Sequence, residues 1–193
     1  KYVYFDSLTK GSISCNDKDH NIINWYLRWA GRSKSINTIC HNTVDIHCSK
    51  CGKFNISYYD GLPMIRGSQI WLYALRAIYL SLFNLFLLRI YGCFMLFELI
   101  RLDRVRIANN NQIACDYLFN NSHALYRPLW TYEAESKGGR IVFYFYSTNN
   151  ETIMVNSGSR AKNLWHIVSW PHYLVWDKFQ ADFVKRSDKG NPT

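Results

Sequence analysis

The chain has 193 residues, which is enough for one sizeable domain, and 48% of them are hydrophobic, so we expect a packed core and not a disordered protein. The formal net charge is +9, but lysines and arginines are spread along the chain, which argues against a nucleic-acid-binding tail. Six irregularly spaced cysteines exclude a disulfide scaffold and suggest reduced thiols in a cytosol.

The first third of the chain alternates short predicted elements with polar segments. Residues 2–5 alternate and are rich in β-formers, which predicts a first strand, and residues 21–29 have the apolar spacing of a helix. Residues 34–46 contain short runs that fit either type of element. Residues 47–61 are polar and contain Gly and Cys, so we expect a loop or a small hairpin insertion there.

A very apolar helix is predicted over residues 67–89, followed by a second helical piece over residues 94–102. Arg76 and Arg89 leave only residues 77–88 uninterrupted, which falls short of the roughly 20 residues that a transmembrane helix needs. On a helical wheel the polar side chains form one narrow stripe, which consists of Gln69, Tyr73, Arg76 and Asn84. The sequence therefore predicts no membrane-spanning segment here.

The same helix has two interpretations. A helix that is apolar nearly all round is either buried in a large domain or lies on a membrane surface. We expect the buried helix, because interfacial helices usually carry a broader charged face. Membrane contact is therefore expected to be peripheral at most.

The second half predicts a strand–helix–strand unit. Residues 115–119 and 140–146 are apolar runs, and residues 125–137 between them have helical spacing and end at a Gly pair. A single connecting helix makes two strands parallel, and nearly continuous apolar strands are typical of a sheet covered on both faces.

A further strand is predicted over residues 172–175, followed by a helix over residues 178–185 with Asp177 as its N-cap. We therefore predict one α/β domain over residues 1–187, with a Rossmann-like parallel sheet flanked by helices. Residues 188–193 are polar and contain Gly and Pro, which is typical of a linker or a truncated end.

Polar residues follow both strands of the predicted unit, where ligands bind in open α/β sheets. Amide and hydroxyl groups suit sugar hydroxyls, and a cation at a helix start suits an anion. The predicted substrate-binding residues are Asn121, Ser122, Arg127, Ser147, Thr148 and Asn149.

Two residues in the same region are candidate catalytic bases, namely His123 and Glu133. The alternative is that the Asn and Ser residues are ordinary turn formers and that Glu133 is a solvated charge.

Two runs of sequence carry a resemblance to a known class of protein. They are CDYLFNNSHALYRPLWTYEAESKGGRIVFYFYSTNNE and WPHYLVWDKFQADFVKR. Both resemble bacterial surface-carbohydrate and capsule biosynthesis proteins, which are similar to the N-terminal domains of GT-B type glycosyltransferases.

The resemblance implies two facing Rossmann-like domains, with a carbohydrate acceptor held mainly by the first and a nucleotide-sugar by the second. No Gly-rich phosphate loop or Glu-containing donor motif follows, so activity is expected to require a missing C-terminal donor domain. The expected location is cytoplasmic, with at most peripheral contact with the inner face of the membrane.

One motif supports a different class of function. Cys48 and Cys51 form a C-x-x-C-G half-site that is typical of a zinc knuckle, although a complete site needs two more ligands. With the basic net charge, this motif suggests a nucleic-acid-binding module as the alternative. We prefer plain reduced cysteines, no bound cofactor and no nucleic-acid partner.

Overall fold

The computed structural model describes residues 1–8, 22–31, 35–43, 49–51, 53–64, 67, 69–90, 95–120, 126–145 and 169–187. The strands are β1 (Tyr2–Phe5), β2 (Thr38–His41), β3 (Lys50–Cys51), β4 (Phe54–Tyr58), β5 (Asp116–Asn120), β6 (Arg140–Tyr144) and β7 (His172–Leu174). The α-helices are α1 (Ile22–Trp29), α2 (Gln69–Phe86), α3 (Leu96–Ile107), α4 (Trp130–Ser136) and α5 (Lys178–Ser187).

The strands form one sheet with the order β3-β4-β2-β1-β5-β6-β7. The short edge strand β3 is antiparallel to β4, and every other neighbouring pair is parallel. Numbered by themselves along the chain, the six parallel strands have the order 3-2-1-4-5-6, which is that of a dinucleotide-binding Rossmann sheet. The predicted Rossmann-like α/β fold is therefore confirmed.

Both faces of the sheet are covered by helices. Alternate side chains of each buried strand point to opposite sides, so each strand contributes to the core on both faces. On one face, Val3 and Phe5 of β1 lie in a cluster with Ile23 and Leu27 of α1. On the other face, Tyr4 lies in a cluster to which three helices contribute: Val105 of α3, Trp130 and Ala134 of α4, and Phe183 and Val184 of α5.

The predicted strand–helix–strand unit is β5–α4–β6, and its strands are parallel as expected. Helix α4 is shorter than predicted, because residues 126–129 precede it as a turn closed by a bond from the Thr131 N–H to the Pro128 carbonyl, at 3.1 Å. Gly138, with φ 90°, ends the helix as predicted, and the Asp177 side chain caps α5 by accepting the Gln180 N–H at 2.8 Å. Within residues 47–61 lie β3 and β4, and β4 belongs to the main sheet beside β2.

The expected burial of the apolar helix α2 is wrong. Of its side chains with described exposure, only Ala77 is buried, whereas Trp71 is 73% and Phe86 84% exposed. Helix α2 packs on α3, with Arg76 paired to Asp103 at 3.2 Å, and α3 supplies the contacts with the sheet. Among the described residues, none of the helices combines the length and the apolar character needed to cross a bilayer.

Candidate functional site

A cleft of about 290 Å³ opens at the carboxyl ends of β1, β2, β4 and β5. Strands β1 and β5 are neighbours at the centre of the sheet, where the strand order reverses. In doubly wound sheets the crevice at this reversal is the usual ligand site, because the chain leaves the two strands in opposite directions. The position of the cleft therefore makes it the candidate functional site.

Asp6 is the carboxylate that β1 delivers to this cleft. Its backbone N–H donates to the Leu118 carbonyl of β5 at 2.9 Å, which fixes the end of β1. Its carboxylate accepts hydrogen bonds from the Tyr4 hydroxyl and from the Asn42 side-chain amide, both at 3.2 Å. Burial, reinforced by the Asp6 charge, raises the pKa of the Tyr4 hydroxyl, which therefore stays a donor. The carboxylate is thus oriented on the cleft by two neutral donors.

Arg101 of α3 gives the cleft a basic wall, and Arg104 of the same helix holds a neighbouring segment in place. The Arg104 guanidinium holds the segment after β4, since it contacts Asp60 at 2.7 Å and donates to the Leu62 carbonyl at 2.8 Å. Arg101 lines the cleft, and its side chain is 52% exposed beside Glu98, to which it donates at 3.2 Å. Arg101 is therefore a cation that this wall offers to an anionic group of a ligand.

Gly61 allows the segment after β4 to lie against Tyr4 at the edge of the cleft. Its φ is 76°, and a Cβ at this position would lie 2.8 Å from the Tyr4 ring. Side chains other than hydrogen meet both backbone strain and a steric clash here, so the approach of this segment to Tyr4 depends on glycine.

The polar segments predicted after β5 and β6 start at the same edge of the sheet. Asn120 and Tyr144, the last residues of the two strands, are register partners, and the Asn120 amide donates to the Tyr144 hydroxyl at 3.2 Å. The predicted residues that follow lie outside the described residues and stay predictions: Asn121, Ser122, His123, Ser147, Thr148 and Asn149.

The two other predicted site residues lie on or just before α4 and are engaged locally. The Arg127 guanidinium donates to the Thr131 hydroxyl at 3.0 Å and pairs with Glu135 at 2.5 Å. Glu133 is near the Arg106 guanidinium, at 3.8 Å. Their roles as anion contact and base stay predictions. The residues on either side of Arg127, Tyr126 and Pro128, do line the cleft, so the predicted segment borders it.

Sequence reasoning missed Asp6, Asn42, Asp60 and Arg101. The first three follow β1, β2 and β4, so a prediction of those strands as parallel neighbours would have placed them at one edge. Arg101 has no such signal, because its position depends on how α3 packs across the sheet.

The proposed zinc knuckle falls only in part within the described residues. Cys48 lies outside them, and of Cys51 only the backbone in β3 is described. Within the described part of the chain, no three His, Cys, Asp or Glu side chains are grouped to hold a metal ion. Burial raises the pKa of the Cys40 thiol to about 11, so this cysteine is a poor metal ligand and nucleophile. The knuckle itself stays a prediction.

Comparison with known protein families gives a match over the second part of the chain. Residues 73–191 match the model of a family described as polysaccharide biosynthesis PFTS motif proteins. No curated protein and no solved structure matches the chain. The family match supports the expected link to polysaccharide biosynthesis, and it runs from α2 through the last described helix. Since it covers more than half of the chain, the protein belongs to the polysaccharide biosynthesis PFTS motif family.

Proposed function

We propose that this chain is the acceptor-side part of a glycosyltransferase in surface polysaccharide biosynthesis, and that the cleft holds the carbohydrate acceptor. The observation that carries the proposal is Asp6, a carboxylate oriented at the strand-order reversal by Tyr4 and Asn42. Family membership supports the pathway class. In this proposal a second domain binds the nucleotide-sugar donor.

The lining of the cleft suits a sugar. Carboxylate and amide groups such as those of Asp6 and Asn42 accept and donate hydrogen bonds to hydroxyls. Tyr126 is 63% exposed at the rim, and its flat ring offers an apolar face on which a pyranose can stack. This combination of an aromatic platform and directional polar groups favours a hydroxyl-rich ligand over an apolar one.

The proposed reaction transfers a glycosyl group. A base removes the proton of an acceptor hydroxyl, its oxygen forms a bond to the anomeric carbon, and the bond from that carbon to the diphosphate breaks. The diphosphate leaves with the electron pair, and positive charge stabilises it. Asp6 joins His123 and Glu133 as a candidate base, and Arg101 joins Arg127 as a candidate anion contact.

The test uses the full-length protein, labelled UDP- and GDP-sugars and an oligosaccharide fraction from cells that make the polymer. We expect Asp6→Asn to lower label transfer by about 10²–10⁴-fold, the range for loss of a general base. Asp182→Asn on α5 is the matched control and should transfer at the wild-type rate.

Tyr126→Ala should raise the KM for the acceptor by about tenfold with little change in kcat, because stacking contributes to acceptor binding. Wild-type transfer by a folded Asp6→Asn variant would remove Asp6 from the mechanism. Absence of both transfer and oligosaccharide binding in the wild-type protein would contradict the proposed function.

A further inference from the structure

Helix α2 presents a continuous apolar surface along its whole length. Trp71, Leu75, Tyr79, Leu82 and Phe86 follow one another at helical spacing and are 60–84% exposed. We call this surface the α2 face. Single exposed apolar side chains are common, but a row of this length is not expected on a surface that stays in water.

The side of α2 that faces the protein is the more polar one. Arg76 pairs with Asp103 of α3 at 3.2 Å, and Ala77 is 1% exposed. Asn84 is half-buried, with its amide bonded to the Leu80 carbonyl at 2.8 Å. A helix on a water-exposed surface normally has the opposite arrangement, with its apolar side towards the core. The α2 face is therefore built for apolar surroundings.

The turn after α2 extends this face. The Arg89 N–H bonds to the Asn84 carbonyl at 2.8 Å and the Leu88 N–H to the Leu85 carbonyl at 2.9 Å, which is a Schellman ending. Leu88 takes the left-handed position, with φ 58°, where glycine is favoured, and its side chain is 87% exposed. A leucine with a strained backbone and an exposed side chain is unfavourable in water. Its side chain is therefore expected to contact another apolar surface.

The charges around the α2 face identify what covers it. Residues 61–97 contain no Asp, Glu or Lys, and they contain Arg66, Arg76 and Arg89. Arg76 is paired with Asp103 of α3, so the cation that accompanies the apolar row among the described residues is Arg89, which is exposed just after α2. An apolar surface that ends in an exposed cation matches an anionic lipid bilayer. A second copy of this face would offer Arg89 no acidic partner from residues 61–97, so self-association would gain no charge complementarity.

We propose that the α2 face and Leu88 form a docking surface for an anionic bilayer, with α2 lying in the plane of the interface. The apolar row would enter the boundary between headgroups and acyl chains, while Arg89 reaches the phosphates. Helix α3 packs on α2 and also lines the cleft with Arg101, so docking would hold the cleft close to the membrane. The docking does not depend on sugar transfer.

Co-sedimentation of the full chain with vesicles tests the proposal. We expect binding to vesicles that contain phosphatidylglycerol and weaker binding to phosphatidylcholine alone. The double variant Leu75→Glu, Leu82→Glu should lower the partition coefficient by at least about tenfold for each leucine. Phe179→Glu on α5, where the side chain is 80% exposed, is the matched control and should bind like the wild type.

Two single variants separate docking from folding. Leu88→Gly should raise the thermal unfolding midpoint, because it removes the strained left-handed leucine, and should still lower vesicle binding. Arg89→Gln should lower binding to anionic vesicles by about fivefold and leave binding to neutral ones nearly unchanged.

Three results would overturn the proposal. The wild-type chain could stay in the supernatant with both kinds of vesicle, or the Leu75→Glu, Leu82→Glu variant could sediment like the wild type while circular dichroism shows it folded. Light scattering could instead find a wild-type dimer that the double variant dissociates, without vesicle binding. That last result would assign the α2 face to a protein interface.

Discussion

Helices α1 and α2 both carry an apolar stripe, and they turn it in opposite directions. Ile23, Tyr26 and Leu27 of α1 are buried against the sheet, whereas Leu75 and Leu82 of α2 are about 60% exposed. The difference follows from the connections. Helix α1 lies between the parallel neighbours β1 and β2 and crosses the sheet face, whereas α3 occupies the sheet face next to α2. Periodicity reveals a stripe, but the surrounding layers decide which way it faces.

A matched pair of tryptophans gives the largest expected contrast between the covered sheet and α2. Trp170 is 2% exposed and packs on Phe119 and Phe143. Trp170→Ala should therefore lower the free energy of unfolding by about 3–5 kcal/mol. Trp71→Ala on the α2 face should change it by less than about 0.5 kcal/mol. Urea denaturation measures both, and a similar loss in both variants would mean that α2 packs in solution.

Ion pairs provide the second contrast. Arg140 donates to the fully buried Asp116 at 3.0 Å and to the Tyr26 hydroxyl at 2.9 Å, so Arg140→Met should cost about 3 kcal/mol because it removes the cation beside a buried carboxylate. Arg76→Met should cost about 1 kcal/mol or less, because Asp103 keeps Arg106 at 3.7 Å. Equal costs in urea denaturation would contradict this ranking.

Two glycines with positive φ sharpen the comparison further. Gly61→Ala should destabilise the fold by about 2 kcal/mol, since the new methyl group meets the Tyr4 ring at 2.8 Å in addition to the backbone strain. Gly67, just before α2, has φ 73°, and apart from its two chain neighbours nothing lies within 4 Å of the place where a methyl group would lie, so Gly67→Ala should cost only about 1 kcal/mol. Thermal unfolding of both variants at one pH distinguishes the two costs. A larger cost for Gly67→Ala than for Gly61→Ala would contradict the clash with Tyr4.

A last contrast is a pH dependence of the covered sheet. His41 is 1% exposed, accepts the Thr43 N–H at Nδ1, and has its pKa lowered by burial. The unfolded chain therefore binds more protons as the pH falls through about 6.5, so stability decreases towards lower pH.

We expect His41→Gln to flatten this slope by at most one proton, or about 1.4 kcal/mol per pH unit. Burial and Arg140 also lower the pKa of His172, so part of the slope should remain. The slope of stability against pH is measured by urea denaturation from about pH 5 to about pH 7.5. An unchanged slope in the variant would show that His41 is protonated equally in the folded and unfolded states.

The candidate site was less predictable than the fold. The edge of the sheet was predictable, because β5 and β6 each end before a polar segment and one helix joins them. The cleft itself lies between β1 and β5, which are far apart in sequence. The residues around Asp6 in the sequence therefore could not predict which side chains surround it. Arg127 was predicted from a helix start, and its engagement with Glu135 depends on side-chain packing that spacing does not encode.

The sequence by itself determined the strands β1, β5, β6 and β7, the helix periods, the Asp177 cap and the Gly138 ending, because these depend on neighbours within a few residues. It also determined the absence of acidic residues between positions 61 and 97. Only the tertiary structure decided the strand order, the cleft at its reversal and the outward direction of the α2 face. These depend on which layers cover each element, and such contacts join residues that are distant along the chain.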